Sequence, residues 1–533
     1  MRAVWNCQAA RQYQKSLVRK MEVNMSGPTG GEVASKQLIT NAFWNIAGRI
    51  APVFVAIVTT PRLIHLLGLS RWGIFTIVLS LIGTFGIFDL GLGRALSRAV
   101  ATKGAEERMD QETCDLVLTG VSVLTGVGVV AALVSAACCN LWVDHGLKIP
   151  VELHREVLLS FFVFCATAPL VMINAAIWGV LTGRQAYRET NLINIPISVM
   201  YYLGPLLMLY VWNSLIGVMF VLAGCRLWMT IAYIRFVYRL IPELKHAQLR
   251  PRLLKPLMQY GGWLTVSNII YPLLGYLDRF IISNLIPVAR IGFYTTPSDA
   301  VSRFNMFTGS VNASAFTAIS ASYARNVTRT CELYKTSVVA VSFILLPLCL
   351  GASLFSYDIL ALWIDRGFSE QSGLVMKILC IGVFISGVDS ITATFLEGIG
   401  RPDIGTKISI GELVIYLPVL YWGVSRYGVV GASAIWTLRF GFDYIVRAVM
   451  CLRIYPALRG SFLRGAVTVM TGVAGMCFSI ARMNFWANVE AGVILLAITY
   501  IVMWFYTLDA FERQSFLQTA SRIKSRLYRR ETT

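Results

Sequence analysis

The residues best able to do chemistry in this sequence are ionisable groups set inside long apolar runs. Arg49 lies in the run 43–66 among Asn45, Gly48 and Pro52, with no acid within one turn. A charge at mid-bilayer costs at least about 2.5–3.5 kcal/mol, so such a group faces a cavity or a partner. Pro52 removes a backbone donor and favours a kink beside it. Two readings of Arg49 stand: contact with an anionic ligand, or pairing with a carbonyl or a distant acid. Asp299 and Arg303 are spaced i, i+4, with Ser298, Ser302 and Asn305 on the same stretch. That spacing allows mutual neutralisation, but the polar face around it favours a water-filled cavity. Arg439 and Asp443 repeat the spacing, and there mutual pairing is the expectation. Arg226 has no acid nearby in its run and stays open between these readings.

The acids form a second set. Asp389 and Glu397 are eight residues apart, roughly one helical face, while Glu412 lies inside the run 405–424 and Asp278, beside Arg279, near the outer end of the run 258–283. Protonatable acids inside a membrane either couple movement to H+ or Na+ or neutralise nearby Arg, and neutralisation is the commoner role. Asp89 belongs to the run Phe88 to Arg98, a helix end where it pairs with Arg94 or holds a gate. Of the 11 Cys most sit in apolar runs, and none shows ligand spacing with the 4 His. No metal or cofactor is expected.

The elements that must position these groups are membrane helices. The chain has 533 residues, 56% hydrophobic and only 14% charged, with mean hydropathy +0.64. Soluble domains carry about 25% charged residues, so a polytopic membrane protein remains. Runs long enough to cross a bilayer fall at 43–66, 72–92, 115–140, 156–180, 191–212, 214–236, 258–283, 291–314, 337–362, 374–396, 405–424, 428–449, 462–481 and 488–508. With the N-terminus placed in the cytoplasm, 33 of the 47 Lys and Arg fall on that side and seven outside. The net charge of +19 is then topology rather than nucleic-acid binding. The outside loops are short, which leaves no room for an external catalytic domain.

The chain also matches itself. An offset of 219 superposes Trp44 on Trp263, Arg71 on Arg290 and Gly73 on Gly292, and an offset of 217 places Gly183-Arg184 on Gly400-Arg401. A six-span duplication follows. Because six is even, the copies are parallel, and two-lobed transporters of this kind hold their substrate between the lobes. The expected organisation is a basic segment 1–40, an N-lobe 41–240, a basic linker 241–257, a C-lobe 258–455, two added spans in 456–510 and a basic tail 511–533.

The run Phe88 to Arg98, the Gly73 to Phe75 pattern and the stretch from Leu277-Asp278-Arg279 to Gly292-Phe293-Tyr294 resemble a known family. With the turns Leu181 to Arg184 and Gly398 to Arg401, they are similar to the polysaccharide-export branch of the multidrug/oligosaccharidyl-lipid/polysaccharide exporter superfamily. The resemblance covers roughly residues 36–455. It implies a MATE-like fold and movement of an isoprenoid-pyrophosphate-linked oligosaccharide, such as an O-antigen unit of lipopolysaccharide, to the outer leaflet. Lipid II flippases of the superfamily also have fourteen spans and carry cavity cations on spans 1, 2 and 8. Arg49 and Arg303 occupy spans 1 and 8 here, while span 2 has no interior Arg, a departure from that pattern.

The expectation is therefore an all-α integral membrane protein of 14 transmembrane helices, two six-helix parallel-repeat lobes plus two C-terminal helices. It would be a multi-pass protein of the bacterial inner membrane with both termini cytoplasmic, and a transporter rather than an enzyme. Its substrate site would use Arg49, Arg303, Asn45, Asn268 and Asn305. Gating or ion coupling would use Asp89, Asp278, Asp299, Asp389, Glu397 and Glu412. Its partners would be the lipid-linked oligosaccharide, membrane lipids and H+ or Na+. The alternatives are an ion-coupled drug or metabolite antiporter of the same fold and, further off, a membrane glycosyltransferase or polymerase.

Overall fold

A computed structural model describes residues 30–85, 92–103, 109–184, 186–253, 270, 273–323, 325–507 and 513. For residues 30–50 and 82–85 the helical path alone is described. Every regular element among the described residues is a helix. The N-terminal group comprises α1 (Gly30–Phe85), α2 (Leu92–Lys103), α3 (Gln111–His145), α4 (His154–Cys165), α5 (Ala168–Gly183), α6 (Tyr187–Val211) and α7 (Leu215–Leu240). The C-terminal group comprises α8 (273–285), α9 (Gly292–Ser302), α10 (Thr308–Ser322), α11 (Val327–Leu354), α12 (Ser356–Trp363), α13 (Arg366–Gly398) and α14 (Pro402–Ile454). Last come α15 (Arg459–Phe478) and α16 (Phe485–Val502).

Ten stretches among the described residues are long and apolar enough to cross a bilayer. Two of the helices are too long for one crossing at 1.5 Å per residue. α1 has 56 residues and breaks at Gly68 (φ 72), and α14 has 53 and breaks at Gly428 (φ 59). Only glycine enters that left-handed region without strain. The break in α14 folds its halves against each other: a Cβ on Gly423 would lie 2.7 Å from the Ile435 side chain. In α1, Pro52 and Ser80 from opposite halves line one cavity.

Short polar residues start several helices by accepting orphan N–H groups. Asp110 caps α3 through Thr113 N, Asn326 caps α11 through Arg329 N, and Asp365 caps α13 through Phe368 N. The span expected at 291–314 is not continuous. α9 ends at Ser302, a 3₁₀ turn covers Arg303–Phe307, and α10 resumes at Thr308. Pro297 lies inside α9, and polar residues follow it, so the local helix bonds compete with side-chain bonds such as Thr308 Oγ1 to Asn305 O at 2.8 Å. α15 and α16 pack on α11. Tyr500 Oη donates to Phe343 O at 3.2 Å, and Ser353 and Ser479 share a hydroxyl bond of 2.6 Å.

The segment after α7 is tied back to α3 by one buried carboxylate. Asp115, fully buried, accepts from Gln248 N at 2.7 Å and pairs with Arg250 at 2.8 Å. Thr119, one turn on, accepts from Arg250 N at 3.1 Å. Bonds to a charged group contribute about 1.5–3 kcal/mol each. Asp115→Ala is expected to release residues 247–250, so that trypsin cleaves at the flanking Lys245 and Arg252 faster than in the parent while the helical circular dichroism is unchanged. Equal cleavage rates would mean the tie is not what holds the segment.

Candidate functional site

The polar groups converge on a cavity of about 300 Å³ between the two helix groups. α1 supplies Pro52 and Ser80, α6 supplies Tyr201 and Tyr202, α8 supplies Tyr276 and Arg279, and the α9 break supplies Asp299 and Arg303. Asp299 does not pair with Arg303 one turn away. It accepts from Arg279 Nη2 at 2.5 Å, and the buried Arg279 also donates from Nη1 to Ser80 Oγ at 2.6 Å. Arg303 is exposed and donates to Tyr202 Oη at 3.3 Å. It makes no ion pair with an acid among the described residues. The 3₁₀ turn that opens at Arg303 ends the regular helix where this side chain enters the cavity.

At one end the two groups are sealed along a single helical face. Trp72, Thr76 and Ser80 follow each other at four-residue steps on α1. Trp72 Nε1 donates to Thr296 Oγ1 at 2.9 Å, Thr295 Oγ1 donates to Thr76 Oγ1 at 3.1 Å, and Ser80 receives Arg279. Beyond Trp72, Lys148 Nζ donates to Leu285 O at 2.8 Å and Val288 N to Lys148 O at 3.2 Å. A Cβ on Gly73 would stand 2.2 Å from Val288 O, so glycine is what lets the two groups touch there.

A second polar cluster fills the C-terminal group. Asp278, Asp389, Glu412 and Asp443 are each at most 4% exposed. Arg447 pairs with Asp389 and, at 3.2 Å, with Asp443. Arg439 pairs with Glu412 and donates to Leu274 O at 2.8 Å, and Tyr294 Oη donates to Asp278. Each of the four carboxylates keeps one buried oxygen without a hydrogen-bond partner. Among the described residues no three His, Cys, Asp or Glu side chains converge as a metal site.

These placements revise several expectations. Arg439 and Asp443 do not pair with each other: Arg439 turns to Glu412 on the facing half of α14, and Asp443 to Arg447. Arg447, near the end of the run 428–449 and one of the 33 cations counted on the cytoplasmic side, is 7% exposed inside the bundle. Asn305 turns from the cavity to donate to Ser386 Oγ at 3.2 Å. Glu397 is exposed while Asp389 is buried, so the structure does not bring them together. Asn45 and Arg49 fall where only the helical path is described, and Asp89 and Asn268 lie outside the described residues. Sequence reasoning missed Tyr201, Tyr202, Tyr276 and Ser80. The four-residue polar stripe of Trp72, Thr76 and Ser80 was a readable signal for the last of these; isolated tyrosines in apolar runs carry none.

Helices of this order around a central polar cavity define the class, a multi-pass membrane transporter fold. A MATE multidrug transporter in its inward-facing conformation aligns with TM-score 0.66 at 14% identity, over 79% of this chain and 96% of that one. The lipid II flippase MurJ in an inward closed conformation aligns with TM-score 0.66 at 12% identity, over 87% and 99%. At such identities the likeness concerns the fold. Residues 38–322 match the model of the polysaccharide biosynthesis protein family, and residues 264–422 match the MatE model. The chain belongs to the polysaccharide biosynthesis protein family, the polysaccharide-export branch of its superfamily. A Shigella flexneri protein named "Putative O-antigen transporter" is 27% identical over 426 residues, 77% of this chain and 96% of that protein. An uncharacterized membrane protein of Methanocaldococcus jannaschii is 22% identical over 455 residues, 82% and 88% of the two chains.

The seam makes a testable demand. Overpacking costs about 1–3 kcal/mol, and Gly73→Val has backbone in its way. In a Cys138→Ser, Cys477→Ser background, Thr76→Cys is expected to react with a polar thiol reagent at least about tenfold faster once Gly73→Val is added. Peptide mapping of the labelled site gives the rate. An unchanged rate would show that the seam is not close-packed at Gly73.

Proposed function

We propose that this protein is a flippase that moves an isoprenoid-pyrophosphate-linked oligosaccharide from the cytoplasmic to the outer leaflet for cell-surface polysaccharide synthesis, without covalent chemistry. The observation that carries the reading is Arg303, a cation presented to the cavity with a tyrosine hydroxyl rather than an acid as its neighbour. A pyrophosphate head group is poorly solvated by hydrocarbon and needs such a route. Tyr201, Tyr202 and Tyr276 offer flat faces and hydroxyls to sugars. Arg49 on α1 is the second proposed cation, with Asn45, Asn268 and Asn305 as supporting amides, Asn305 from beside the cavity.

The proposed mechanism is alternating access between two parallel lobes in a fourteen-span chain. α1 and α14 count as two spans each, and the broken α9 and α10 as one. Thr76 and Thr295 support the duplication: they touch, and they are separated by 219 residues, the offset at which the chain matches itself. Partners related by a two-fold operation meet only near its axis. The sealed end carries Arg71, Lys148 and Arg290, which the distribution of cations assigns to the outside. Both termini are then cytoplasmic, in the inner membrane of a bacterium, and the described state is closed outward. A volume of about 300 Å³ suits a head group but not several sugars, so the lobes must part to admit them.

Ion coupling is assigned to the C-terminal cluster. Four buried carboxylates from α8, α13 and α14 face two guanidiniums, Arg439 and Arg447, and a low-dielectric interior favours neutralising the excess with H+ or Na+. Asp389, Glu412 and Asp278 are the proposed coupling groups, with Asp299 and Asp89 at the gate; Glu397, being exposed, would act at the protein surface. A drug antiporter of the same fold would want an acid-centred cavity. Here the cavity acid, Asp299, is already held by Arg279, which favours the anionic substrate.

A charge-assisted contact contributes about 1.5–3 kcal/mol. Arg303→Ala is therefore expected to cut leaflet translocation of a labelled lipid-linked oligosaccharide in proteoliposomes by about 10- to 100-fold. Arg49→Ala should abolish complementation of a flippase-deficient strain at normal protein level. Full activity of both variants would sink the cation role. Asp389→Asn, in contrast, is expected to keep substrate binding while removing the response of the translocation rate to an imposed pH or Na+ gradient. A variant that still responds as the parent does would exclude Asp389 from coupling.

A further inference from the structure

The N-terminal group holds a separate cavity of about 210 Å³ built around Arg226. Arg226 lies near the middle of α7 and is 2% exposed. Its Nη1 donates to Thr167 Oγ1, and its guanidinium carbon stands 5.3 Å from the centre of the Phe164 ring. Its Nη2 makes no hydrogen bond of good geometry, the Tyr201 hydroxyl is the polar group that faces it, and no acid pairs with it among the described residues. A buried guanidinium left in that condition is costly unless something anionic meets it.

The rest of the wall adds further donors, beside one unpartnered acceptor, Asn174 Oδ1. Asn194 lines the cavity, and its Oδ1 is occupied by Tyr233 Oη at 2.6 Å, which leaves the amide NH2 end for a ligand. Ser198 and Tyr201 add hydroxyls, and Asn174 adds a second amide; three apolar side chains complete the lining. Ser198 and Tyr201 also line the central cavity, so the two spaces share a wall.

We propose that the Arg226 cavity is a binding site for a single oxyanion group, a carboxylate or a phosphate, distinct from the cation at Arg303. Arg226 Nη2 and the Asn194 amide supply the directed N–H bonds that an oxyanion accepts from more than one side. The group is either a free anion or one carried by the molecule in the central cavity, reached past Ser198 and Tyr201. The site rests on the Arg226 cavity alone and stands whether or not the flippase reading does.

The test measures thermal unfolding of the purified full chain in detergent, with millimolar inorganic phosphate or acetate against chloride at equal ionic strength. The parent and Arg303→Ala are both expected to gain about 2 °C or more with the oxyanions. Asn194→Asp places a carboxylate beside Arg226 and is expected to lose that gain while melting no lower than the parent without anion. Arg226→Gln is expected to lose it as well, and Asn194→Asp keeps the test valid if Arg226→Gln does not fold. An isoprenoid pyrophosphate in the micelle distinguishes the sources. A phosphate gain that adds to its effect marks a free anion, and one that it competes away marks a group borne by the substrate; both support the site. No gain with either oxyanion in the parent would overturn the proposal. So would a gain lost in Arg303→Ala but kept in Asn194→Asp, which would put the anion in the central cavity.

Discussion

The arrangement turns on how one buried guanidinium is satisfied. Hydrocarbon solvates neither a charge nor an unpaired donor, so Arg279 must find its partners inside the protein. It finds Asp299 within its own helix group and Ser80 in the other. Two consequences follow from that choice. The helix groups are tied together at the edge of the central cavity, and Asp299 is drawn away from Arg303, the cation one turn along. Were Asp299 and Arg303 paired as their spacing allows, the cation deprived of that acid would be Arg279, buried at the seam. As built, it is Arg303, exposed to the cavity.

The seal above Arg279 follows the same logic with weaker groups. One face of α1 offers Trp72, Thr76 and Ser80 in turn, each bonded across the gap. The neutral bonds at Trp72 and Thr76 contribute only about 0.5–1.5 kcal/mol net each, while Ser80 receives a charge-assisted one, and hydroxyls find partners as readily in water as in each other. A seam of such bonds closes well and also opens at modest cost, unlike an interdigitated apolar core. Gly73 sets the approach distance against Val288, so closeness at the seam depends on a missing side chain rather than on a strong contact.

Much of the fold was legible because the bilayer imposes long apolar runs, and the family follows from motifs as much as from composition. The site was legible in part. Asp299 and Arg303 announce themselves as charges in an apolar run, and both line the cavity. Their pairing was not readable, since i, i+4 spacing states what one helix permits and says nothing of what a neighbouring helix offers. The same limit explains Arg439, which prefers Glu412 across the Gly428 fold to Asp443 on its own turn. Arg447 was misplaced because loop cations and buried cations look alike near a span's end; only the packed acid Asp389 separates the two cases. Tyrosines escape for another reason: they are at home in any membrane helix, and their role comes from convergence.

The proposed coupling also has a physical route. α8 carries Arg279 at the seam and, five residues earlier, Leu274, whose carbonyl accepts from Arg439. Arg439 is at the same time the partner of Glu412. Neutralising Glu412 by a proton would weaken its hold on Arg439 and leave the guanidinium to redistribute its bonds, including the one to α8. A helix is stiff over five residues, so a shift at Leu274 is carried to Arg279, whose bond to Ser80 ties the two helix groups together. The C-terminal cluster and the seam are thus joined by a continuous chain of bonded groups, with the proposed charge change at one end and a contact between the two helix groups at the other. That order is what the proposed coupling requires: an ion's free energy would be spent on opening the seam rather than on the substrate's own contacts.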